Sequence, residues 1–167
     1  AQHWVDTIRT IKEVNPATTV EVLIPDFQGH LELVDQVVEA APEIISHNME
    51  TVRRISPQVR SAAKYDVSLA VLSRIAGQGA TAKTGIMVGL GETPEEVCCL
   101  MDDVLDAGVS VLTIGQYLQP SRKNIQVTEY VTPDQFNVYK SIALEKGFRM
   151  VESAPLVRSS YHAEKHV

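Results

Sequence analysis

The sequence holds only two cysteines, and they stand side by side as Cys98-Cys99. Adjacent cysteines can neither staple a small domain nor supply the spaced ligands of a CxxC metal site. A disulfide framework is thereby excluded, and a reducing, cytoplasmic compartment is expected. No apolar run approaches the ~18 residues that a membrane-spanning helix needs, and Ala1-Gln2-His3-Trp4-Val5-Asp6 lacks the charged and apolar blocks of a secretory leader. Positive charge is also short. The 15 Lys and Arg against 21 Asp and Glu give a net charge of -6, which offers no general attraction to nucleic acid or an anionic membrane. The pairs Arg53-Arg54 and Arg122-Lys123 read as solvated surface. An initiating methionine is missing and the opening pattern is already helical, with Trp4, Ile8 and Ile11 on one face; both features suggest a piece of a longer chain.

What is present is enough for one globular core: 167 residues, 44% of them hydrophobic. Short β-branched runs alternate with helical patterns, the signature of βα units around a parallel sheet. Strands are expected at residues 19–24, 43–47, 83–88, 110–116 and 149–153. Helices are expected at 31–41, 66–76, 94–107 and 133–146. Thr93-Pro94-Glu95-Glu96 and Thr132-Pro133-Asp134-Gln135 place Thr at the N-cap, Pro at the first helical position and Glu or Gln where a capping box needs it. Gly108 and Gly147 supply stops. Cys98 and Cys99 fall inside an apolar helical pattern and read as buried or boundary filler. Residues 55–57 and 120–127 read as loops. Units of this kind close into barrels or spread into doubly wound sheets, and both place ligands beyond the carboxyl ends of the strands. A full barrel takes about 250 residues, so the chain has material for part of one.

Three strand ends carry the polar chemistry. In Asn48-Met49-Glu50-Thr51 an amide and a carboxylate stand two apart, suited to hydroxyl or ammonium groups, or simply to capping. Gly89-Leu90-Gly91-Glu92 permits close backbone approach, with the N–H groups of the following helix offered to a carboxylate or phosphate. It lacks the full GxGxxG and the Walker lysine, so a nucleotide-phosphate loop is unsupported. Polar and ring-bearing residues also follow an apolar run at Gly115-Gln116-Tyr117-Leu118-Gln119-Pro120-Ser121-Arg122. Lys83 could form a Schiff base, but it sits at a strand's N-terminal end and reads as a surface lysine. Asp26 reads equally as a turn former or a functional group.

Taken together these phrases resemble the C-terminal half of the lipoyl synthases, a family of radical S-adenosylmethionine enzymes. The resemblance runs through residues 23–27, 47–52, 68–69, 85–93, 115–122 and 147–148, and ends on Pro155-Leu156-Val157-Arg158-Ser159-Ser160-Tyr161-His162-Ala163. It implies an α/β fold, the C-terminal portion of a radical-SAM partial (β/α) TIM-like barrel over 1–153, with a tail at 154–167.

The resemblance also implies a sulfurtransferase of lipoate biosynthesis. Two sulfur atoms are inserted at C6 and C8 of an octanoyl chain carried on a lysine of a lipoyl carrier domain or of the glycine cleavage H protein. The implied cofactors are S-adenosylmethionine and two [4Fe-4S] clusters. Asn48, Glu50, Gly91, Glu92, Gln116 and Leu118 would line the S-adenosylmethionine site. Ser160, with Ser159 as the alternative, would ligate the auxiliary cluster, and Arg158 and Tyr161 would lie near the cluster or the substrate. Six cysteine ligands of that family have no counterpart here. The isolated chain is therefore expected to be inactive, or to act as a binding module that keeps part of the S-adenosylmethionine or carrier surface. Exposed sheet edges of a half barrel are expected to favour self-association.

Overall fold

The computed structural model describes residues 1–60, 62 and 64–165. The last two residues of the expected tail, His166 and Val167, lie outside the described residues. Among the described residues, strands β1 (Glu21–Leu23), β2 (Ile44–Ser46), β3 (Thr81–Val88), β4 (Val111–Gln116) and β5 (Met150–Ser153) form one sheet. All neighbours pair in parallel, in the order β1-β2-β3-β4-β5. A doubly wound sheet reverses its strand order at a switch point. This one runs in sequence without reversal, so it is an open arc of barrel type, with β1 and β5 as its edges.

Helices α1 (Gln2–Val14), α2 (Leu31–Glu39), α3 (Ser56–Val59), α4 (Tyr65–Gly77), α5 (Pro94–Asp106) and α6 (Pro133–Lys146) fill the connections. The Thr93 hydroxyl accepts from the Glu96 amide while the Glu96 carboxylate accepts from the Thr93 amide, so α5 begins in a complete capping box. Thr132 caps α6 through the Gln135 amide, and Gly147 ends it in the left-handed conformation. Ile86, Val88, Leu112 and Ile114 form a common core with Val71, Leu72 and Ile75 of α4 and Val97, Leu100, Met101 and Val104 of α5. Strand alternation sends Lys83, Gly85 and Met87 of β3, in register with Val111, Thr113 and Gly115 of β4, to the opposite face. Among the described residues no helix is long and apolar enough to cross a membrane.

Several expectations are corrected. Lys83 is no surface lysine: it is fully buried, and its Nζ donates to both carboxylate oxygens of Glu21, at 2.6 and 2.8 Å. The counter-charge comes from the edge strand, and burial of a lysine demands one. Cys99 is exposed rather than filler, while Cys98 is half-buried. The loop expected at 55–57 instead runs into the short helix α3, which takes in Ser56 and Pro57 and continues to Val59. Arg53 and Arg54 are exposed, yet each is tied down. Arg53 pairs with Asp66 and stacks 4.2 Å from the Tyr65 ring centroid. Arg54 pairs with Glu96 and donates to the Gly91 carbonyl.

Candidate functional site

Beyond β2 the chain is stitched to β3 residue by residue. The Met49 amide donates to Thr84 Oγ1 at 3.1 Å, the Glu50 amide to the Gly85 carbonyl at 3.1 Å, and the Met87 amide to the Glu50 carbonyl at 2.8 Å. This stitching holds Glu50 at φ +67°, a left-handed conformation that costs a non-glycine residue energy and recurs at functional positions. Met49 is driven into the core, which turns Asn48 and Glu50 the other way.

Asn48 and Glu50 form a wall shared by two cavities. The larger, about 320 Å³, is lined further by Leu23, Ile24, Pro25, His47 and Arg60. The smaller, about 120 Å³, is lined by residues of β3 and β4 and by Val157, Arg158 and Ser159. Asn48 Oδ1 is buried without a hydrogen-bond partner. Burial pushes the Glu50 carboxyl above its ordinary range, against a hydrogen bond from Asn48 and the charge of Arg60, which pull it down. The wall is thus rich in acceptors and short of donors. Gly85 is needed beside it, because a Cβ there would lie 2.6 Å from Thr113 Oγ1 and 3.0 Å from Asn48 Oδ1.

The tail closes the smaller cavity. The Ala154 amide donates to the Ile114 carbonyl at 3.2 Å and the Gln116 amide to the Pro155 carbonyl at 3.3 Å. Val157, buried, then lies so close to Gly115 that a side chain there would strike its carbonyl. Arg158 and Ser159 reach the cavity wall, whereas Ser160 and Tyr161 are exposed and line neither cavity.

The other expected site residues lie at the far ends of β3 and β4, with their polar groups engaged. The Glu92 carboxylate accepts from the Gly89 and Leu90 amides at 2.5 and 2.9 Å. The α5 terminus, expected to be open to an anion, is instead capped by the Thr93 hydroxyl, which accepts from the Glu96 amide. Gln116 is buried and braces the following loop. Its Nε2 donates to the Glu129 carbonyl at 3.0 Å, and its Oε1 accepts from the Val131 amide at 2.9 Å. Gly91 stands beside Thr128, and Leu118 is 49% exposed and lines neither cavity. Arg60, which the sequence does not mark, belongs to the site. Its Nη1 donates to Ser68 Oγ at 2.8 Å and to the Asn48 carbonyl at 3.1 Å. Among the described residues no group of three or more His, Cys, Asp or Glu is placed to hold a metal ion.

No protein-family model matches the chain. Over all 167 residues it is 81% identical to a lipoyl synthase of Parabacteroides distasonis and 69% identical to one of Bacteroides thetaiotaomicron, and it spans 59% of each. A lipoyl synthase of Treponema denticola is 62% identical over the same residues, 58% of its length. Two solved structures share the fold at low identity. Methylornithine synthase matches with TM-score 0.68 at 13% identity, covering 94% of this chain and 53% of that one. A domain of pyruvate-formate lyase-activating enzyme from Bacteroides vulgatus matches with TM-score 0.66 at 10% identity, covering 89% of both. Along its whole length, then, this chain is homologous to curated proteins named lipoyl synthase, and it corresponds to 59% of the length of the first two.

Proposed function

We propose that the chain is the C-terminal part of a lipoyl synthase, and that the Asn48–Glu50 wall is its S-adenosylmethionine site. The observation that carries this reading is the unpartnered buried Asn48 Oδ1 beside the desolvated Glu50 carboxylate. Two acceptors held out of water call for a ligand that brings donors, as ribose hydroxyls or an ammonium group do. Gly85 leaves room for close approach, and the docked tail limits water. When bound and given one electron by a reduced cluster held outside this chain, S-adenosylmethionine would release methionine and supply a 5'-deoxyadenosyl radical able to take hydrogen from an unactivated C–H bond. Holding that ligand in one orientation is the contribution of these residues.

The two [4Fe-4S] clusters are not accommodated by thiolates of this chain, since Cys98 and Cys99 lie on α5 beside Lys146 and Asp102. The tail offers a serine oxygen, and Ser159 stands nearer the cavity than Ser160. In this reading the cysteine ligands belong to the remaining length of the relatives, and the isolated chain is inactive. The acceptor is an octanoyl-lysine on a lipoyl carrier domain or the glycine cleavage H protein, in the cytoplasm, and the product carries sulfur at C6 and C8.

The test is conversion of an octanoylated carrier domain by the intact protein that contains this chain, read by mass. Glu50→Gln and Asn48→Ala should lower the rate at least tenfold, as expected when a bond to a buried polar group is lost. Full activity in both variants would refute the site. Failure of the unaltered protein with every octanoylated carrier would refute the function.

A further inference from the structure

His47 is 2% exposed and takes no part in the wall described above, yet it borders the larger cavity. Its Nδ1 lies 2.9 Å from the Ile24 carbonyl and its Nε2 2.9 Å from Ser68 Oγ. A carbonyl oxygen only accepts, so the ring hydrogen sits on Nδ1 and Nε2 presents a lone pair. The Ser68 hydroxyl must then donate to Nε2, which leaves its oxygen to accept from Arg60 Nη1 at 2.8 Å. Every polar role in this chain of four groups is fixed from the Ile24 carbonyl outward.

At its outer end Arg60 Nη1 also holds the Asn48 carbonyl, and Arg60 is one of the residues that line the cavity. Arg53, Arg54 and Arg74 each pair with a carboxylate. Among the described residues no carboxylate forms an ion pair with Arg60. We propose that His47 and Ser68 are positioning residues that preset Arg60 to receive a ligand carboxylate, so that the larger cavity recognises the amino-acid end of the nucleoside. This rests on the S-adenosylmethionine reading and adds the residues that orient the ligand.

Neutrality of His47 is part of the device. Burial, with the charge of Arg60, holds its pKa below the ordinary value, against the hydrogen bond to the Ile24 carbonyl and the charge of Asp26, which pull the other way. Protonation would make Nε2 a donor, reverse the Ser68 hydroxyl and set a second cation beside Arg60.

Two measurements on the intact protein test this. Long-range proton–nitrogen spectra should show the His47 ring neutral and protonated on Nδ1 at pH 7, and a ring protonated on Nε2 overturns the relay. By calorimetry, Ser68→Ala should weaken S-adenosylhomocysteine about tenfold and leave 5'-methylthioadenosine, which has no carboxylate, unchanged. Arg60→Gln, at the cavity rim, should do the same should Ser68→Ala fail to fold. Equal loss for both ligands, or loss for neither, overturns the positioning role. An unaltered protein that binds neither ligand overturns the S-adenosyl reading together with the carboxylate receptor, whatever the tautomer shows.

Discussion

Glu50 keeps a carboxylate where water reaches it poorly, and the fold bears the cost. Its pKa is raised above 4.5, so its contribution to stability is present below that pH and lost as pH rises through the folded value. Glu50→Gln should therefore stabilise the unliganded protein at pH 7 by on the order of 1 kcal/mol, with no gain at pH 4, as denaturant midpoints would show. His47 has the opposite sign. Its folded pKa is depressed, so its contribution is present above about 6.5 and is lost as pH falls toward the folded value. Between pH 7.5 and 5.5 His47→Gln should therefore lose less stability than the unaltered protein. Lys83→Met should cost roughly 3 kcal/mol, because Glu21 would keep its charge against the buried face. The companion change Glu21→Gln should restore part of it. Asn48 and Glu50 were legible in the sequence because polar residues directly after an apolar run must sit at a strand's end. Lys83, Gln116, Glu92 and Arg60 were not, since their roles depend on contacts or turn geometry that strand and helix periodicity do not encode. Glu21 pairs with Lys83 from 62 positions away, and Arg60 is aimed by Ser68 and His47 from two other elements.

The elements themselves were largely readable. Thr-Pro starts and glycine stops bracket α5 and α6, and parallel strands buried on both faces leave apolar runs that no loop would carry. The tail was not readable as an element, because residues 154–160 have no periodicity; they dock through backbone bonds to β4. Gly115 makes that docking possible. Gly115→Ala should push Val157 off the strand, raise amide exchange at Gln116 and Val157, and destabilise by about 2 kcal/mol. Unchanged exchange at those two amides would show that the tail is held by other contacts.

At the scale of the molecule, sequential parallel order gives an open arc in which the segment after β2 forms one wall with β3, β4 and the docked tail. Its edges β1 and β5 each leave one side unpaired with another strand of the sheet. We propose that these edges meet the remainder of the intact protein, or a second copy when this chain stands alone. Sedimentation of the isolated chain should then show dimers, and a strict monomer at high concentration would count against the second copy. The central claim is that the Asn48–Glu50 wall binds an S-adenosyl nucleoside, and amide shift mapping of the intact protein with S-adenosylhomocysteine tests it most directly. The account predicts the largest shifts at Asn48, Glu50, Gly85 and Gly115, abolished by Glu50→Gln. Shifts confined elsewhere, such as the groove between α2 and α4 at Leu31 and Arg74, would contradict it.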